Sequence, residues 1–95
     1  MKIEIEQQVL DFIGSLAPEP RRSIGQALRR LAQEKGDIRA LEGELEGFYR
    51  LRVGRYRIIF CYRRERRSSA IRCIYAAHRN LIYEVFAQEF HNLLE

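Results

Sequence analysis

Ten arginines fall between positions 50 and 79 (Arg50, Arg52, Arg55, Arg57, Arg63, Arg64, Arg66, Arg67, Arg72 and Arg79). Glu65 is the only carboxylate in that stretch, so the local net charge is +9. The flanks are acidic: residues 1–49 sum to −2 and residues 80–95 to −3, which reduces the chain to +4 overall. Such a block raises the local positive potential, speeds encounter with polyanions and releases counterions on meeting phosphates. Fifteen arginines against two lysines favour a planar fork that grips phosphate and stacks on bases. Arginine-rich codon usage and a merely solvated surface would give the same composition, so placement must decide between them. At the end of the block, His78 is the one side chain whose unperturbed pKa suits proton transfer near neutrality. The alternative for His78 is a turn residue bonded to the backbone. Tyr83 is either a partner of that cluster or the first apolar residue of a terminal helix. His91 lies on the polar side of that helix and is given no role. Cys61 and Cys73 have no metal-ligand spacing; they read as small hydrophobes in strands of a protein in the reducing cytosol. No metal or cofactor is expected.

The elements that must position these residues follow from hydrophobic periodicity. Residues 2–6 alternate and predict a short strand. Val9, Ile13 and Leu16 then recur at helical spacing up to Ala17-Pro18-Glu19-Pro20. Pro20 suits the first turn of a second helix, where a missing N–H costs nothing, and Ile24, Leu28 and Leu31 line its buried face. Gly36 after Lys35 is a plausible end signal, so residues 7–35 form a helical hairpin. A connector with two glycines spans 41–47. Three strands are predicted over 48–53, 56–62 and 71–76, the first two joined by a Gly54-Arg55 hairpin turn and the last two by a polar loop over 63–69. The tail is predicted helical, with Tyr83, Phe86, Phe90 and Leu94 near one face. Strands grouped after helices imply an α+β fold: one mainly antiparallel sheet of about four strands, helices on one side, a short C-terminal helix. A single domain is expected over 1–95. The longest strongly apolar runs are about four residues against the ~20 of a membrane span, and the N-terminus lacks a signal peptide's apolar core. The expected location is the cytoplasm, with no membrane partner.

Period-two geometry sorts the strand residues by face. Tyr49, Leu51 and Val53 share one face with Tyr56, Ile58 and Phe60, which the helices can cover. Arg50, Arg52 and Arg57 then gather on the uncovered face. Like charges on neighbouring strands repel, which points to an anion site. A solvated face with Glu42, Glu44 or Glu46 reaching over is the alternative.

The run Leu41-Glu42-Gly43, then Phe48-Tyr49-Arg50-Leu51-Arg52-Val53-Gly54-Arg55-Tyr56-Arg57-Ile58-Ile59-Phe60, resembles the central signature of the RelE/ParE toxin superfamily. His78-Arg79 followed by Tyr83 resembles its C-terminal signature, and the upstream helical hairpin matches too. The resemblance implies the toxin of a type II toxin–antitoxin pair with a RelE-like microbial RNase fold, held inactive by a cognate antitoxin. RelE-like members cleave mRNA in the ribosomal A site without metal, leaving 2′,3′-cyclic phosphate ends; ParE-like members poison DNA gyrase without catalysis. The His-Arg and Ile-Tyr pairs look more like the RelE branch, so ribosome and mRNA are the expected partners and gyrase the alternative. A non-toxic RNA-binding remnant of the fold is a further alternative. By that similarity Arg50, Arg52, Arg57, His78 and Tyr83 are the catalytic candidates, and Arg55, Arg63, Arg64, Arg66, Arg67 and Arg79 the RNA-binding ones. The best-known RelE-type site has lysines where this chain has Arg50 and Arg52. An arginine does not lose its proton in a protein, so these two would bind phosphate and stabilise charge rather than act as bases.

Overall fold

The computed structural model describes residues 1–84. Strand β1 (Lys2–Ile5) leads into helices α1 (Gln7–Ser15) and α2 (Pro18–Leu31), then β2 (Asp37–Ala40), β3 (Tyr49–Val53), β4 (Tyr56–Arg64) and β5 (Ser69–His78). The five strands form one sheet in the order β1-β5-β4-β3-β2, antiparallel except for the parallel β1–β5 pair. A helix begins at Ile82; Phe86, Phe90, His91 and Leu94 lie outside the described residues.

Both helices cover one face of the sheet, α1 against β5 and α2 against β3. Their buried residues Val9, Ile24, Leu28 and Leu31 meet Leu51, Ile58, Phe60, Ile71, Cys73 and Ala76 in the main core. Burying each large aliphatic or aromatic side chain there contributes about 1.5–3 kcal/mol. Burial also pushes the Cys73 thiol up to about 12, with Cys61 adding to it. Pro18 starts α2, Glu19 occupies its first turn and Arg29 and Arg30 its last, each complementing the helix dipole. Where β1 ends, Gln8 takes over its pairing with β5. The Gln8 amide donates to the Ala76 carbonyl and accepts from the Ala76 N–H, both at 2.8 Å.

Several boundaries differ from the sequence expectation. α2 ends at Leu31, and the left-handed residue after it is Glu34 (φ 58°) rather than Gly36. Gly36 has its own positive φ (135°), and a Cβ there would also meet Leu51 Cδ1 at 2.9 Å. Residues 37–40 form a fifth strand that the periodicity did not announce. The polar loop expected over 63–69 shrinks to a turn over 65–68, closed by Glu65 N–H donating to the Ser68 carbonyl, because β4 and β5 keep pairing through Arg64↔Ser69. At Gly54-Arg55 the expected hairpin turn is present, with Val53 opposite Tyr56. Only Gly54 has a positive φ (57°), as a type II′ turn requires.

The fold also contains a bulge. Ile59 pairs with Tyr75, but Phe60 pairs with Cys73, leaving Ile74 as an extra residue in β5. Its side chain and that of Tyr75 join a second, smaller apolar cluster on the sheet face away from the helices. There Leu41, Leu45 and Phe48 of the connector and Ile82 of the C-terminal segment cover Ile59, which is fully buried. That face is therefore only partly open.

Candidate nucleic-acid interface

Residues directly opposite on paired strands share a face, so the register fixes where each arginine points. One row across the sheet runs Asp37, Arg52, Arg57, Ala77; the next runs Arg39, Arg50, Ile59, Tyr75. Both rows lie on the face away from α1 and α2, since Ile59, Tyr75 and Ala77 belong to the second apolar cluster. Arg50, Arg52 and Arg57 thus gather as the alternation of apolar residues predicted. Two like-charged pairs stand directly opposite each other, Arg39 with Arg50 and Arg52 with Arg57. Each such pair costs up to about 1 kcal/mol.

Among the described residues the carboxylate ion-paired within this cluster is Asp37. Arg50 Nη1 donates to Asp37 Oδ1 and to the Asp37 carbonyl, both at 3.1 Å. This pairing is diagonal, leaving Arg52, the residue directly opposite Asp37, exposed. Arg57 Nη1 donates to the carbonyls of Gly54 and Tyr56, both at 2.8 Å, which pins its guanidinium beside the hairpin turn. Among the described residues no carboxylate is ion-paired with Arg52 or Arg57. Partial burial, then Arg52 and Arg50, hold the Arg57 pKa below its ordinary value; Tyr83 opposes that shift and Arg79 adds to it. Arg79 and Tyr83 therefore belong to the same electrostatic neighbourhood. Tyr83 is exposed, and Ile82 rather than Tyr83 is the residue that enters the core. Arg55, in the turn, accepts a hydrogen bond from the Arg79 N–H at 2.8 Å through its carbonyl, which ties the two segments together.

His78 is not brought into this cluster. It pairs with Tyr56, lies on the helix-covered face, and sets its ring edge-on to Tyr56 at 6.1 Å between centroids. Its Nδ1 accepts a hydrogen bond from the Asn80 N–H at 3.3 Å, the turn-residue alternative of the sequence reading. The bulge at Ile74 is the cause, because one extra residue moves every later side chain of β5 to the other face. Arg63, Arg64, Arg66 and Arg67 are also separated from the cluster. Arg64 and Arg57 are seven residues apart on one strand, about 23 Å. Arg63 is ion-paired with Glu4 at 3.2 Å, and Arg72 with Glu6. Conversely, Arg39 and Asp37 are site residues the sequence reading missed. The only early signal was Ile38, one apolar residue in a four-residue strand. Among the described residues no group of His, Cys, Asp or Glu is placed to hold a metal ion, and no helix is long and apolar enough to cross a membrane.

No family model and no curated protein matches the sequence. Solved structures do match. The YoeB/ParE toxin from Agrobacterium tumefaciens superposes with a TM-score of 0.65 at 17% identity, over 83% of this chain and 99% of that one. RelE in the RelB–RelE antitoxin–toxin complex from Methanococcus jannaschii gives 0.61 at 22% identity, over 87% and 98%. The RelE–RelB complex from Pyrococcus horikoshii gives 0.58 at 26% identity, over 82% and 93%. The architecture of this chain is thus the RelE/ParE toxin fold, helical hairpin and sheet together.

Proposed function

We propose that this chain is the toxin of a toxin–antitoxin pair and cleaves mRNA on the ribosome. The observation that carries the reading is the set of guanidiniums, Arg50, Arg52 and Arg57, gathered on one sheet face where, among the described residues, Arg50 is ion-paired with Asp37. A fold selected for stability alone would alternate charges there. Among the matching folds are a YoeB/ParE toxin and three RelB–RelE-type complexes, which supports a protein antitoxin as the partner of this chain as well.

In the proposed reaction the 2′-oxygen of one nucleotide attacks the adjacent phosphorus. The P–O5′ bond breaks, leaving a 2′,3′-cyclic phosphate and a 5′-hydroxyl. The 2′-proton leaves to a base, and the departing 5′-oxygen takes one up. Arg52 and Arg57 stabilise the doubly charged phosphorane, the contribution that is usually largest in catalysis. Tyr83, beside Arg57, carries the phenolic proton available on that side. His78 is not assigned a proton-transfer role, because it faces the helices. Among the described residues the cluster holds no strong acid–base pair, so alignment of the 2′-oxygen with the phosphorus by the ribosome carries much of the barrier reduction.

Induced expression with separate readouts of protein synthesis and DNA damage tests this reading. Translation arrest, with ribosome-dependent mRNA cuts ending in 2′,3′-cyclic phosphate, is the expected result. A DNA-damage response with intact mRNA would overturn it in favour of gyrase poisoning.

A further inference from the structure

The edge strand β2 brings a fourth arginine to the face. Arg39 is exposed and lies directly opposite Arg50, just as Arg52 lies opposite Arg57. The two pairs are two residues apart along β3, about 7 Å, and the members of each pair are about 5 Å apart. Each pair is therefore a two-guanidinium fork, and the spacing between forks is one that a single nucleotide spans. Arg50 already holds an anion, the Asp37 carboxylate at 3.1 Å, so one member of the first pair is set on a negative charge in the free protein. Its side chain is only 12% exposed while that of Asp37 is 54% exposed, so the arginine is fixed and the acid is the displaceable partner.

We propose that β2 supplies a second phosphate-binding position, Arg39 with Arg50, adjoining the Arg52–Arg57 position, so that the face grips two consecutive phosphates of one RNA strand. This rests on the reading that the arginine face binds RNA, and it names the footprint on the substrate. The scissile phosphate sits at Arg52 and Arg57, next to Tyr83. The neighbouring phosphate sits toward the sheet edge and fixes the direction of the strand across β3. Asp37 occupies the edge position until the RNA displaces it.

The test measures binding of a fluorescent single-stranded 2′-O-methyl oligonucleotide, which cannot be cleaved, across a salt series. Wild-type protein is compared with Arg39→Gln and Arg57→Gln. Each lost phosphate contact lowers the slope of log affinity against log salt by about 0.7 for a single strand. The expected result is a drop of that size for each variant. If Arg57→Gln lowers the slope and Arg39→Gln does not, the second position is wrong and the RNA-binding reading stands. If neither variant lowers it, both fall. Arg39 is exposed on an edge strand opposite another cation, so its replacement leaves the fold intact, and thermal melting verifies that.

Discussion

The sheet face away from α1 and α2 has two charged halves built from the same residue type. Toward β1, Arg63 and Arg72 each meet a carboxylate, Glu4 and Glu6, supplied by β1 and the residue after it. Toward β2, the ion pair that Arg39, Arg50, Arg52 and Arg57 make among the described residues is Arg50 with Asp37. The apolar strip of Ile59, Ile74, Tyr75 and Ile82 runs between them. The first half has its charges neutralised within the fold, so phosphate must compete with internal partners. The second half keeps a repulsive excess that an external polyanion relieves. Arginine content therefore says little by itself; what separates the two halves is whether each arginine has a carboxylate partner of its own.

Arg57→Ala against Arg63→Ala is the sharpest way to break this comparison. The first is expected to lower mRNA cleavage about 10²–10³-fold. The second leaves cleavage unchanged and costs at most about 1 kcal/mol of stability, the worth of an exposed ion pair. Equal effects on cleavage, measured by primer extension on translating ribosomes, would remove the distinction. A smaller effect of opposite sign follows from Arg39→Glu, which places unlike charges opposite Arg50. It is expected to stabilise the fold by up to about 1 kcal/mol, a rise in Tm of up to about 4–8 °C, while weakening oligonucleotide binding. An unchanged or lower Tm shows that the pair carries no repulsion. The mildest change is Asp37→Asn. Removing the internal anion is expected to tighten oligonucleotide binding by up to about fivefold, since an exposed ion pair is worth up to about 1 kcal/mol. Weaker binding would mean that Asp37 positions Arg50 instead of competing for it.

Much of this layout was legible in the residues. Helical spacing from Val9 to Leu31 located the helical hairpin, Gly54-Arg55 the turn, and alternation in β3 and β4 the face of Arg50, Arg52 and Arg57. What stayed hidden has identifiable causes. β2 has one inward apolar residue, Ile38, and edge pairing is held by backbone hydrogen bonds that any sequence can make. The extension of β4 and β5 through Arg63, Arg64, Ser69 and Ala70 depends on those same bonds. His78 could not be placed because period-two counting assumes an unbroken ladder. Nothing in Ile74 distinguishes a bulged isoleucine from a paired one, yet that residue decides which face His78 occupies.

The parallel pairing of β1 with β5 sets an order on folding. Lys2 pairs with Ala70 and Gln8 with Ala76, the latter 68 positions away. β2, β3 and β4 instead close through short local connections, the kind of contact that forms early because little chain entropy is lost. During synthesis the strands bearing Arg39, Arg50, Arg52 and Arg57 can pair as soon as residue 64 is available. β1 must wait for β5, and until then Glu4 and Glu6 are not in place to neutralise the other arginines. The net charge of the growing chain thus peaks at +7 once Arg79 is added, and Arg63 and Arg72 gain their carboxylate partners only when β1 docks.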